Sequence, residues 1–202
     1  MIQRRRKSVL IVLAIVLIAV AAGGWGYQQY LADDGEPEGG GFTLPSTRGE
    51  FSLSDMEEGE IGVMFFGFTN CPDVCPMSLS VIRQALQRLE ADRADRIVPI
   101  LVTVDPERDT LERLDEYISA FGDRFIGVRP GGEAELNDLA DRYGVSWRKV
   151  DVQDSEMEYT VDHTASLFLV DRNGEILSEV LYSPAANRLI DTLEEEFDAQ
   201  EI

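Results

Sequence analysis

Two near-continuous apolar runs, Ile61 to Phe68 and Ile97 to Val104, constrain the fold of this chain more than any other feature. A strand with one wet face alternates apolar and polar residues. A run that is apolar throughout and rich in β-branched and aromatic residues has to be covered on both sides. Each run leads into a helical pattern. After the first, Leu79, Ile82, Leu86 and Leu89 fall on one helical face, and Pro76 is expected at the first helical position. After the second, Asp109 or Thr110 is expected to cap a helix whose buried stripe is Leu111, Leu114, Tyr117, Ile118 and Phe121.

The rest of the pattern extends this core. Phe42 to Leu44 and Glu50 to Leu53 read as a hairpin over Pro45 to Gly49. Phe125 to Val128 reads as a short strand, Glu133 to Tyr143 as a helix ended by Gly144, and Ser146 to Val152 as another strand. Ala165 to Asp171 and Glu175 to Tyr182 flank Asn173-Gly174, the signature of a two-residue type I′ turn, and Pro184 to Phe197 closes the chain as a helix. Alternating strands and helices followed by an antiparallel pair predict an α/β fold, a mixed sheet covered by helices. The order is that of a thioredoxin-like fold with an extra N-terminal hairpin and an inserted strand and helix.

The N-terminus sets the compartment. Arg4, Arg5, Arg6 and Lys7 precede an apolar run from Val9 to Ala22, which Gly23, Gly24 and Trp25 extend to 17 residues. That is the lower edge of the span needed to cross a bilayer as a helix, and Trp25, Tyr27 and Tyr30 suit its interfacial end. The segment reads as an uncleaved anchor with its basic end in the cytoplasm. A cleaved signal peptide is the rival, with Ala19-Val20-Ala21 as its cleavage pattern. On either reading the body of the chain lies on the periplasmic or extracytoplasmic side of the cytoplasmic membrane. Residues 31–41, acidic and ending in three glycines, are expected to be a polar tether, so that the domain starts near Phe42.

The whole chain has 18 basic and 38 acidic residues and a net charge of −20. With the four N-terminal cations removed, the remainder stands at 14 against 38, a net −24. Such a body repels phosphate backbones, which excludes nucleic acid binding as a main activity. Salt adaptation and the steering of basic partners both fit the acidic surface.

The chain's two cysteines lie in Cys71-Pro72-Asp73-Val74-Cys75, between a buried strand and the start of a helix. A helix N-terminus favours the thiolate, which attacks disulfides and binds soft metals. A disulfide there would close too small a loop to stabilise the fold much, and the spacing has one residue more than the Cys-x-x-Cys of ordinary redox sites. Two thiolates cannot complete a zinc site, and an iron-sulfur cluster wants four cysteines. Cu(I) is content with two thiolates and one imidazole. The single histidine, His163, precedes the strand beginning at Ala165, in a loop that a thioredoxin-like layout brings to the cysteines. Asp162 or a backbone carbonyl is expected to orient its ring.

Gly67-Phe68-Thr69-Asn70, Cys71-Pro72-Asp73-Val74-Cys75-Pro76, Val104-Asp105-Pro106-Glu107-Arg108-Asp109-Thr110 and Asp162-His163-Thr164 occur in an order that resembles the Sco/SenC family, from about Phe42 to Phe197. The resemblance implies a copper-binding assembly protein for cytochrome c oxidase, with Cys71, Cys75 and His163 as the copper ligands. The expected organisation is then residues 1–30 as tail and anchor, 31–41 as tether, and 42–202 as a thioredoxin-like copper-binding domain. The expected role is a membrane-tethered metallochaperone, a binding protein rather than an enzyme. It would take copper from a donor protein and help build the dinuclear copper centre of oxidase subunit II. The alternative is a thiol-disulfide oxidoreductase, with Cys71 and Cys75 keeping that subunit's cysteines reduced and no need of His163.

Other polar residues are assigned structural work. Asp105, Glu107 and Asp109 cluster at a strand end, with Asp109 as a helix cap and Arg108 neutralising its neighbours. Asp73 is a spare oxygen donor for Cu(II), or an acceptor for N–H groups of the helix turn. Met77 is expected to pack. No nucleophile-elbow sequence, nucleotide-binding glycine pattern or arginine beside Cys71 supports a hydrolase, a nucleotide enzyme or a peroxidase.

Overall fold

A computed structural model describes Gly23, Gly24 and residues 37–152 and 158–200. The expected tail, anchor and first part of the tether lie outside those residues, Gly23 and Gly24 excepted. Among the described residues no helix is long and apolar enough to cross a membrane.

From Pro37 onward the elements are β1 (Thr43–Ser46), β2 (Gly49–Ser52), β3 (Ile61–Gly67), α1 (Val74–Arg88), α2 (Ala91–Asp95), β4 (Ile97–Thr103), α3 (Leu111–Ser119), β5 (Ile126–Val128), α4 (Glu133–Arg142), β6 (Trp147–Asp151), β7 (Tyr159–His163), β8 (Leu167–Val170), β9 (Ile176–Val180) and α5 (Asn187–Gln200). Seven strands make one sheet in the order β2-β1-β5-β4-β3-β8-β9, and β6 and β7 make a separate antiparallel pair. β3 runs parallel to β4 with Phe65 opposite Leu101, β4 runs parallel to β5, and β8 is antiparallel to β3. This is the thioredoxin-like arrangement, with β1 and β2 added at one edge.

The two apolar runs are β3 and β4, and all seven residues of β3 are buried. Right-handed crossovers between parallel strands place α1 and α3 on one face of the sheet. On that face Gly67 lies against the Cys75 sulfur of α1, and Gly127 lies against Leu114 and Ile118 of α3. α5 packs on α1 and β9. On the other face the rings of Phe66 and Phe168 meet Tyr143 at the end of α4. Large side chains this fully buried contribute about 1.5–3 kcal/mol each, which is why these strands hold the centre.

Several local expectations shift. The first hairpin turns over Thr47-Arg48, with Ser46 opposite Gly49, because the Ser46 hydroxyl donates to the Gly49 carbonyl at 2.8 Å and accepts from the Arg48 N–H at 3.1 Å. The β8–β9 connection is not a two-residue Asn-Gly turn. Its ladder resumes only at Val170 opposite Ile176. The Asp171 carboxylate accepts the N–H groups of Asn173 and Glu175 at 2.9 and 2.8 Å, which winds a longer loop with Gly174 at φ 83°. α5 begins at Asn187 rather than Pro184. The strand expected over Ser146 to Val152 exists but pairs with β7 outside the main sheet.

The larger correction concerns the tether. The folded unit begins at Pro37 rather than Phe42, and the three glycines belong to it. The Gly39 N–H donates to the Arg142 carbonyl at 2.9 Å and the Gly40 N–H to the Gly174 carbonyl at 2.8 Å. The Tyr143 hydroxyl donates to the Gly40 carbonyl at 2.9 Å. Gly39 is buried at φ 71°, and a Cβ there would come within 2.2 Å of the Gly174 carbonyl oxygen. Only glycine permits that approach. Gly39→Ala is therefore expected to cost about 1–3 kcal/mol in urea unfolding, from left-handed strain and the backbone clash. Were residues 31–41 a free tether throughout, the substitution would leave the midpoint unchanged.

Candidate metal centre

β3 ends at Gly67, and the chain turns through Phe68, Thr69 and Asn70 to Cys71 before α1 starts at Val74. Pro76 is thus the third helical residue, not the first. It is tolerated there because the first four N–H groups of a helix have no intrahelical acceptor. Asp73 stands at the N-cap, exposed and without a side-chain capping bond. The Cys71 sulfur fills that role and accepts the Cys75 N–H at 3.3 Å. An anionic acceptor at this position is favoured by the open N–H groups and the macrodipole of the 15-residue helix.

Both cysteines are free thiols, Cys71 half-buried and Cys75 buried. Their protons are shared unequally. Hydrogen bonding from the Cys75 thiol is the main influence holding Cys71 down at about 4, against the opposing effect of burial and with help from His163 and the N–H groups of Asp73 and Cys75. Cys75 is pushed far up, first by that same bond, then by burial and by the charge on Cys71. At neutral pH the pair is one thiolate and one thiol.

His163 does not sit in a loop. It is the last residue of β7, paired with Trp147 of β6. The short strand reads poorly in sequence because only Val161 of its five residues is buried, on an arm outside the main sheet. The ring stands edge-on to Phe65 and Phe68, at centroid distances of 5.7 and 5.8 Å. Its Nδ1 lies 2.9 Å from the Thr164 carbonyl, an oxygen that can only accept, so the proton is on Nδ1. Nε2 is the nitrogen left facing Cys75 Sγ at 3.5 Å. Of the two orienting groups expected, the backbone carbonyl serves. Asp162 faces away and binds Arg148 at 2.7 Å.

The two sulfurs and a histidine nitrogen all lie within 4.8 Å of one another. Metal–sulfur and metal–nitrogen bonds of about 2.3 and 2.0 Å at trigonal angles need donors about 3.7–4.0 Å apart. The widest edge therefore has to close by less than about 1 Å. Two soft sulfurs and one imidazole suit copper.

The residues assigned to structural work divide. Asp109 is not a helix cap; Thr110 is, accepting the Arg113 N–H at 3.3 Å. Asp109 is fully buried instead. It receives the Thr69 N–H at 3.1 Å and the Thr69 and Thr103 hydroxyls at 2.5 and 2.6 Å, tying the cysteine loop to the end of β4. Burial raises its carboxyl, an effect that these three bonds partly offset. Arg113 also grips the loop, through Thr69 Oγ1 at 2.9 Å and the Asn70 side chain. Met77 does not pack in the core. It lies exposed on α1, with Tyr182 Oη 3.4 Å from its sulfur. Asp105 is buried and binds Arg108, as expected, and Tyr159 joins them. Asp109 and Tyr159 were not legible as neighbours of the site, since both act through partners distant in sequence.

The sequence profile of SCO1/SenC matches residues 32–198. This chain belongs to that family. A SCO2-like protein of Rickettsia prowazekii is 35% identical over 158 residues, covering 78% of this chain and 76% of its own. ScoI of Arabidopsis thaliana, solved with copper bound, matches with a TM-score of 0.69 at 28% identity, over 80% of this chain and 98% of that one. Yeast Sco1, also solved with copper bound, matches with a TM-score of 0.70 at 27% identity, over 80% and 89%. The fold is shared with BsSco, a member of the Sco family of cytochrome c oxidase assembly proteins, at 22% identity and a TM-score of 0.59, over 81% of this chain and 95% of that one.

The unequal thiols can be tested directly. At pH 6, without denaturant, iodoacetamide is expected to modify Cys71 and spare Cys75, as read by peptide mass spectrometry, because only Cys71 is ionised and accessible. Equal labelling, or labelling of Cys75 first, would contradict the proton placement.

Proposed function

We propose that this chain is a membrane-tethered copper metallochaperone, binding Cu(I) through Cys71, Cys75 and His163 and delivering it to the dinuclear copper centre of oxidase subunit II during assembly. The copper comes from a donor protein on the same, extracytoplasmic side of the cytoplasmic membrane. The observation that carries this reading is the convergence of the chain's only histidine with both its cysteines, three donor atoms within 4.8 Å.

The chemistry follows from the protons. The metal-free pair holds one negative charge and one proton. Cu(I) displaces the Cys75 proton, and two thiolates with one Cu(I) again sum to −1. Loading thus adds no charge to a half-buried site. The neutral imidazole supplies the third donor through Nε2, already oriented by Thr164. Half-buried Cys71 lies where an incoming thiolate can reach the metal, and stepwise sulfur exchange passes it on without a bare ion. Asp73, exposed beside the pair, is a spare oxygen donor for Cu(II). The apolar run Val9 to Trp25 supplies the anchor on this reading.

A second reading rests on the same thiol asymmetry. An accessible thiolate backed by a buried thiol is the arrangement of a dithiol reductant, with Cys71 attacking and Cys75 resolving. It requires no ligand role for His163.

Copper titration separates the two. Under reducing conditions the chain is expected to hold one Cu(I) against a competing chelator and to release about one proton per metal at pH 7. His163→Ala is expected to weaken binding by more than about 100-fold, and Cys71→Ser with Cys75→Ser to abolish it. Absence of binding, or equal binding without His163, would favour the reductase.

A further inference from the structure

The arm β6–β7 that carries His163 shares no ladder with the seven-stranded sheet. Its placement therefore rests on side chains and on the short links to α4 and β8. Along β7, Tyr159, Val161 and His163 alternate onto one face. Val161 is buried in the core, and His163 faces the thiols. Tyr159, four residues from His163, is gripped at the far end. Its hydroxyl donates to Asp105 Oδ1 at 2.8 Å, and its carbonyl accepts from Arg108 at 2.9 Å. The Arg108 guanidinium lies over its ring, 3.6 Å from the centroid, and also binds the other oxygen of Asp105.

We propose that Asp105, Arg108 and Tyr159 form a clasp that positions His163, holding the remote end of β7 against the β4–α3 loop so that the imidazole meets the two thiols. Each of the three residues binds the other two, so the clasp is closed. Asp105 is fully buried and sits just past the end of β4, whose sheet also carries β3 and the cysteine loop. The cysteines and the histidine are thus referred to one rigid frame. Lys149 of β6 reaches Glu107 and Glu133, both at 2.7 Å, but these pairs are exposed and add little. The clasp touches neither sulfur nor imidazole. It sets only where the ring stands.

This inference rests on the copper-ligand reading, and the test separates the two. In the full-length chain, Tyr159→Phe removes the bond to Asp105 and keeps the stacked ring, while Arg108→Gln removes the cation. Each is expected to lower Cu(I) affinity by about tenfold. In a His163→Ala background each is expected to lower it no further, since there is then no ring to place. In the metal-free chain, the imidazole resonances of the only histidine are expected to move or broaden in both variants, with Cys71 still alkylated before Cys75. Unchanged affinity, or an equal loss with and without His163, would overturn the clasp. If the parent binds no copper, the functional reading fails while the imidazole resonances still decide: unchanged lines overturn the clasp, and shifted lines sustain it.

Discussion

Strand β3 is paired on both sides, by parallel β4 and antiparallel β8, and none of its residues meets solvent. The turn that leaves it can shift only if the core shifts with it. Cys71 lies four residues past the end of that strand, inside a turn held by Asp109 from below and Arg113 from outside. The reactive sulfur therefore inherits the rigidity of the sheet. A binding site that must accept and release a metal without rebuilding itself needs such a frame, because the donors have to stay within bonding reach while ligands exchange.

The same placement governs the electrostatics. The Cys71 sulfur occupies the N-terminus of α1, where Asp73 makes no cap, and the helix and the Cys75 thiol together stabilise its charge. Cys75 and Cys71 cannot both be ionised comfortably while metal-free, so one proton stays on the buried sulfur. On the proposed reading a singly charged soft cation would replace it without change in total charge. The burial that makes a second thiolate unfavourable in the empty site thus makes a monovalent metal a natural replacement. His163, with Nδ1 committed to a backbone carbonyl, keeps Nε2 available as the third donor on the proposed reading.

Much of this was legible from residue types. Two cysteines and one histidine leave few ways to assemble a soft-metal site, and a helix pattern directly after a buried strand locates the thiols at a helix start. The central strands were legible because burial on both faces requires continuous apolar sequence. What escaped was polar and long-range. Gly39 looks like linker until Gly174, far along the chain, is found against it. Asp109 looks like a cap because capping is local, whereas its partners Thr69 and Thr103 come from two other segments. β7 lacks an apolar run because only Val161 enters the core, while the clasp holds its far end.

The amino-acid sequence by itself determined the layered α/β architecture, the acidic body and the short inventory of soft donors the chain can offer, since each follows from composition or short-range periodicity. Tertiary structure alone decided which sulfur is ionised, which imidazole nitrogen is free, where the domain begins and what holds the histidine in place. These depend on distances between residues far apart in the chain. Hydrogen-bond direction and burial, the quantities that set protonation and position, exist only once those segments have packed.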